Sequence, residues 1–124
     1  MSSMRTVFIV EDDPAALSSL VALLTAFEYE VRPFDSAESF LAARDKTELG
    51  CLLTDVRLPG MTGLELQKAL KMDGFQLPII LISGYADSEM KAVALENNVI
   101  ALLEKPIDPK AIIKHIQMAL EVFT

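Results

Sequence analysis

Several apolar runs in the sequence stop at side chains able to do chemistry. Thr6–Val10 leads into Glu11, Asp12 and Asp13; Cys51–Thr54 into Asp55; Pro78–Ile82 into Ser83 and Gly84; and Ile100–Leu103 into Glu104, Lys105 and Pro106. If these runs are neighbouring strands, then acids, a hydroxyl and an amine converge on one rim. Carboxylates crowded at one point repel one another unless a cation sits among them, and an all-oxygen site with few protein ligands suits Mg²⁺. A divalent ion is therefore the expected resident.

Each acid taken singly has a plainer reading as a solvated loop residue or a helix cap, and Asp13 before Pro14 is well explained as an N-cap. Pro59, Gly60 and Gly63 are ordinary turn formers ahead of a helix. Cys51 is the only cysteine, so no internal disulfide can form, and its setting beside Leu49, Leu52 and Leu53 suggests a buried thiol. His115, the only histidine, falls on the flank of the last helix and is assigned no role. The combination outweighs the single readings, because Asp55 and Lys105 end two different runs and only a fold can bring them together.

The elements that would gather these residues are legible in the same sequence. Short apolar runs alternate five times with amphipathic stretches, the pattern of a parallel sheet with helical crossovers, the remaining run being Glu30–Pro33. Pro33 puts that run on a sheet edge, whereas Val7–Val10 and Pro78–Ile82 read as strands buried on both faces. Leu17, Leu20, Val21, Leu24 and Phe27 recur at helical spacing, placing one apolar stripe of a first helix against the sheet. Ser36 can cap a second helix with Ala37, Phe40 and Leu41 inward, and Leu66, Ala69 and Leu70 mark a third that ends near Gly74. Asp87 opens a fourth helix carrying Met90, Val93 and Ala94. Asp108 and Pro109 start a fifth, carrying Ile112, Ile116, Ala119 and Leu120 nearly to Thr124. In such sheets ligands bind outside the carboxyl ends of the strands, which is where the reactive residues stand.

With 124 residues, 52% of them apolar, and no repeat, linker or low-complexity tract, residues 1–124 are expected to form a single domain. No apolar run approaches the roughly 20 residues of a membrane span, so no membrane association is expected. The amino-terminal apolar stretch, Val7–Val10, ends in three acids and is unlike a signal peptide, which points to a cytoplasmic protein. A net charge of −7 would repel nucleic acid phosphates and argues against direct binding of DNA or RNA by this chain.

In order and placement these residues resemble the receiver (REC) domains of two-component response regulators. The matching segments are Glu11 and Asp12 after the first strand, Thr54–Gly63 around Asp55, Leu81–Gly84 around Ser83, and Glu104–Pro106 around Lys105. The resemblance covers essentially the whole chain, with motifs weakly specific singly and strong together. It implies a flavodoxin-like, doubly wound α/β fold: a five-stranded parallel sheet in the order 2-1-3-4-5 with helices on both faces. It also implies that Asp55 is the phosphoacceptor, served by a sensor histidine kinase. By the same resemblance Asp12, Asp55 and the backbone carbonyl of Arg57 bind Mg²⁺, while Glu11 acts through water and Asp13 is an accessory acid or only a cap. Ser83 would contact a phosphoryl oxygen, Lys105 would pair with the phosphate, and the Lys105–Pro106 bond would be cis. Such a domain is a signalling phosphoacceptor that promotes its own phosphotransfer and dephosphorylation, not an enzyme with a separate substrate. The motifs are similar in style to those of regulators with a helix-turn-helix output domain. Control of transcription through an output domain or downstream protein, and a phosphorylation-dependent homodimer, are therefore expected.

An aspartate attacking phosphorus must approach a group that is already anionic, so charge neutralisation is the main task and no general-base histidine is required. The product would carry about −1.5 to −2 added charges, by analogy with other phosphorylated side chains, and new acceptor oxygens that Ser83 and Lys105 can follow. That movement is a switch only if two loop arrangements lie within a few kcal/mol of each other.

Four positions depart from the family pattern. The usual aromatic switch residue is replaced by Leu102, the usual Gly-Ala before the fifth strand by Asn98 and Val99, and the more frequent first aspartate by Glu11. A turn at Asn97 or Asn98 is expected, since asparagine tolerates left-handed geometry better than most residues. Other readings fare worse. A haloacid-dehalogenase-type hydrolase needs an acid at the position of Arg57, and a flavin or nucleotide module needs a phosphate loop where the chain has three acids. The remaining alternative is a receiver-like interaction domain that no longer switches, suggested by Leu102 and opposed by Asp12, Asp55, Ser83 and Lys105.

Overall fold

The apolar runs form the strands. β1 (Thr6–Val10), β2 (Glu30–Phe34), β3 (Cys51–Asp55), β4 (Ile79–Ser83) and β5 (Ala101–Glu104) make one parallel sheet in the order β2-β1-β3-β4-β5. The computed structural model of the chain describes residues 6–43, 50–74, 77–84 and 99–122. Four strands reach one residue further at their carboxyl ends than the apolar runs, taking in Phe34, Asp55, Ser83 and Glu104. The ladder continues where hydrophobicity stops: Asp55 pairs with Ile82, and Ser83 with Glu104. Asp55 and Ser83 are thus held by sheet hydrogen bonding and not merely by loops.

Among the described residues four helices flank the sheet: α1 (Pro14–Ala26), α2 (Ala37–Ala43), α3 (Gly63–Met72) and α4 (Pro109–Val122), the last corresponding to the fifth helix expected from the sequence. The helix expected to open at Asp87 and the turn expected at Asn97 or Asn98 lie outside the described residues. The caps follow local chemistry. Asp13 caps α1 by accepting from the Ala15 amide, the Ser36 hydroxyl accepts from the Ser39 amide at 3.0 Å, and Asp108 accepts from the Lys110 amide at 3.0 Å. Thr62 and Glu65 form a reciprocal capping box at the start of α3.

Alternation along the strands splits the core into two layers. Val7, Ile9, Cys51, Leu53, Ile80 and Ile82 face α1 and α4, meeting Leu20, Leu24, Ile112 and Ile116. Phe8, Val10, Leu52, Ile79 and Leu81 face α2 and α3, meeting Phe40, Leu66 and Leu70. Cys51 is fully buried, and desolvation pushes its thiol up to about 12. Pro33 sits on the edge strand β2, where its missing N–H costs no ladder bond.

One expectation is corrected here. Phe27 was placed in the buried stripe of the first helix, but it is the C-cap of α1 and half exposed. The helix ends at Ala26, and Glu28 turns the chain with φ 66°, so Phe27 leaves the helical stripe and Tyr29 is the ring that enters the core.

Candidate functional site

The site is built from the last residue of β3 outward. Asp55 is buried; its Oδ1 accepts from the Arg57 amide at 2.8 Å, and its Oδ2 lies 2.7 Å from Lys105 Nζ. The turn behind it is held by the Val56 amide donating to the Ile82 carbonyl and the Gly63 amide donating to the Val56 carbonyl. Gly63 matters for its missing side chain: a Cβ there would stand 2.4 Å from the Asp55 carbonyl oxygen. The start of α3 can close on the strand end only with glycine at this position.

The three acids after β1 take three different places. Glu11 is buried, with Oε1 3.3 Å from Lys105 Nζ and Oε2 accepting from the Asp13 amide at 3.1 Å. Asp12 is exposed at the mouth, and Asp13 caps α1. Burial raises the Glu11 carboxyl above its ordinary range and neighbouring Asp55 adds to the rise, while the Asp13 amide and Lys105 oppose it. The Lys105 ammonium is held above its usual range, chiefly by its hydrogen bond to Asp55. Among the described residues Lys105 thus faces two buried carboxylates, and negative charge exceeds positive within this group.

Lys105 follows β5 and reaches back across β4 to Asp55. Its amide donates to the Ser83 carbonyl at 2.8 Å, Ser83 is fully buried at the end of β4, and the Lys105–Pro106 peptide is cis, as expected. Leu102 is half-buried and packs against the layer containing Phe8, Leu81 and Phe40. His115 is half-buried on α4, and His115 Nδ1 has no hydrogen-bond partner among the described residues.

Among the described residues no three His, Cys, Asp or Glu side chains are gathered as ion ligands. Mg²⁺ does not require such a group, since it keeps several waters and binds through one or two carboxylates. The donors on this rim are hard oxygens beside an excess of buried negative charge, which fits that ion.

Residues 7–117 match the response regulator receiver domain family. The chain belongs to this family. The receiver domain is 39% identical over 115 residues to the transcriptional regulatory protein TdiR of Thauera aromatica, a match covering 93% of this chain and 51% of that protein. Among solved structures it is similar to the response regulator StyR, with TM-score 0.89, 37% identity and coverage of 94% of this chain and 59% of that one. It is also similar to FixJ-N, with TM-score 0.86, 36% identity and coverage of 94% and 93%. The receiver domain spans about half the length of the curated relatives it matches, which include transcriptional regulators.

The structure brings together Glu11, Asp55 and Lys105 by direct contact and joins Ser83 to Lys105 through the main chain, while Asp12 is exposed. Glu38, on α2, was not singled out in the sequence. Its Oε2 accepts from the Met61 amide at 3.2 Å, in the loop between β3 and α3. An exposed glutamate on an amphipathic helix gives no sequence signal of such a reach.

Proposed function

We propose that this receiver domain takes a phosphoryl group onto Asp55 from a sensor histidine kinase and uses it to switch an output domain or downstream protein that controls transcription. The observation that carries the reading is the 2.7 Å ion pair between Lys105 Nζ and Asp55 Oδ2 at the carboxyl end of the sheet. Such a pair places a cation beside the attacking carboxylate and the incoming phosphoryl oxygens. An Asp55 carboxylate oxygen attacks phosphorus as the bond from phosphorus to the kinase imidazole nitrogen breaks, and the imidazole leaves. Asp55 is then an acyl phosphate; water admitted to the same rim attacks phosphorus, the bond from phosphorus to the Asp55 oxygen breaks, and inorganic phosphate leaves as the carboxylate is restored. The domain in this way promotes both its own phosphotransfer and its own dephosphorylation.

Asp12, Asp55 and the Arg57 carbonyl would hold Mg²⁺, with Glu11 acting through water and Asp13 as an accessory acid or only a cap. When bound, the ion supplies neutralising charge to the phosphoryl oxygens. The Arg57 amide fixes one Asp55 oxygen, so the other is the one that attacks. Lys105 exchanges its Asp55 contact for the phosphate, and Ser83 meets a second phosphoryl oxygen, which draws the loops after β4 and β5 together. Leu102 has no ring to turn inward, so the change is concentrated in those loops and not in the core beneath. Transcriptional control and a cytoplasmic location are supported by the relatives named as transcriptional regulators.

Acetyl phosphate with Mg²⁺ tests the reading directly. Intact mass spectrometry should give one phosphoryl adduct that is absent from Asp55→Asn; an unchanged adduct in that variant would overturn the assignment.

A further inference from the structure

We infer that Glu38 is a positioning residue that clamps the loop between β3 and α3 from the opposite side, and so sets how firmly the Arg57 carbonyl is held for Mg²⁺. The inference rests on the proposed phosphoacceptor reading for its consequence, but its geometry stands independently.

The loop from Val56 to Thr62 carries Arg57 and must be held in one shape if its carbonyl is to serve as a ligand. At its start the Arg57 amide donates to Asp55, and at its end the Gly63 amide returns to the Val56 carbonyl. Between these two ties, Gly60 turns the chain with φ 76°, a conformation that favours glycine. The tip is met by a side chain from another element: Glu38 Oε2 accepts from the Met61 amide at 3.2 Å. The same oxygen lies 2.7 Å from where a Gly60 Cβ would stand, so the carboxylate rests over the glycine as well as on the amide after it. Gly60 thereby serves twice, supplying the positive φ and leaving room for Glu38.

The geometry also separates this role from the helical role of the same side chain. Glu38 lies in the first turn of α2, where a negative charge is favourable to the helix. Glu38→Ala removes both the charge and the acceptor oxygen. Glu38→Gln removes the charge but keeps an oxygen that can accept from Met61. Loss of the helix charge is common to the two variants, so a difference between them reports the clamp.

The experiment measures amide exchange at Met61 and Mg²⁺ affinity in the wild type and both variants. Glu38→Ala should speed Met61 exchange by roughly fivefold, the worth of one exposed hydrogen bond, and weaken Mg²⁺ binding by about threefold to fivefold. Glu38→Gln should stay within about twofold of wild type in both, since one neutral acceptor replaces a charged one. Unchanged Met61 exchange in Glu38→Ala would overturn the clamp. Faster exchange without weaker Mg²⁺ binding would overturn its role in positioning, and equal losses in the two variants would assign the effect to charge instead. Failure of wild type to take a phosphoryl group would refute the function reading while leaving the exchange result in force.

Discussion

The backbone amide of Lys105 donates to the carbonyl of Ser83 across 2.8 Å, so the two residues proposed to meet the phosphate are joined by main chain before any phosphate arrives. A pull on either one is transmitted to the other without passing through a side chain. That link is why the ends of β4 and β5 should respond as a unit.

Lys105→Ala removes the cation shared by Glu11 and Asp55 but touches neither core layer. The substitution leaves two buried carboxylates without their cation, a cost that the 36% exposure of the lysine side chain holds to about 1–3 kcal/mol at neutral pH, read from urea unfolding. The variant should still take a phosphoryl group, slowly, and should lose any change in association or spectrum that follows. Wild-type coupling in Lys105→Ala would remove the lysine from the relay.

Gly63→Ala should be far more damaging than its size suggests. The added methyl would meet backbone at 2.4 Å, and backbone cannot swing aside as a flexible side chain can. A loss of about 1–3 kcal/mol is expected, together with a displaced Asp55 turn. Gly84→Ala meets nothing within 4 Å and serves as the control, with a change within about 0.5 kcal/mol. Similar denaturation midpoints for the two variants would contradict the close approach of α3 to β3.

The capping box of α3 gives a pH signature. Hydrogen bonding to Thr62 lowers the Glu65 carboxyl below its ordinary value of 4.5. A depressed folded-state value means the unfolded chain takes up the proton first as pH falls. The contribution of Glu65 is therefore complete above the ordinary carboxylate range and is lost as pH falls through the lowered value. Glu65→Gln should be less stable than wild type near pH 7, with the gap closing in acid. Parallel stability curves for the two proteins down to pH 2.5 would show that the ionised carboxylate contributes nothing.

Association should depend on phosphorylation. Because Leu102 cannot lodge a ring beside Ser83, the switch should be modest, giving a weak dimer with beryllofluoride and Mg²⁺ and a monomer without them, as read by sedimentation. A tight dimer in both states, or none in either, would favour the receiver-like domain that no longer switches.

Much of this arrangement was readable from residue order, because strands buried on both faces leave short apolar runs whose ends are abrupt. Asp55 and Lys105 could be paired in advance, since a parallel sheet delivers all its carboxyl ends to one rim. Phe27 could not be placed, because its burial depended on where α1 ended, and the left-handed Glu28 that decides this has no distinctive sequence signal. The resemblance assigns Asp12 to the metal and Glu11 to a role through water, but the buried contact of Glu11 with Lys105 was not readable from two adjacent acids. Gly63 read as a turn former because glycine has several uses; its use here is contact distance, which no linear pattern records.

The placement of β1 has a consequence for synthesis. It lies inside the sheet, between β2 and β3, and its Val7 and Ile9 belong to the same core layer as Ile112, Ile116 and Ala119 of α4. β1 therefore leaves the ribosome well before α4, and the core layer they share is complete only when both are present. A nascent chain stalled before Pro109 would lack Ile112, Ile116 and Ala119 from this layer, and the domain should become protease-resistant abruptly, only once α4 has cleared the exit tunnel.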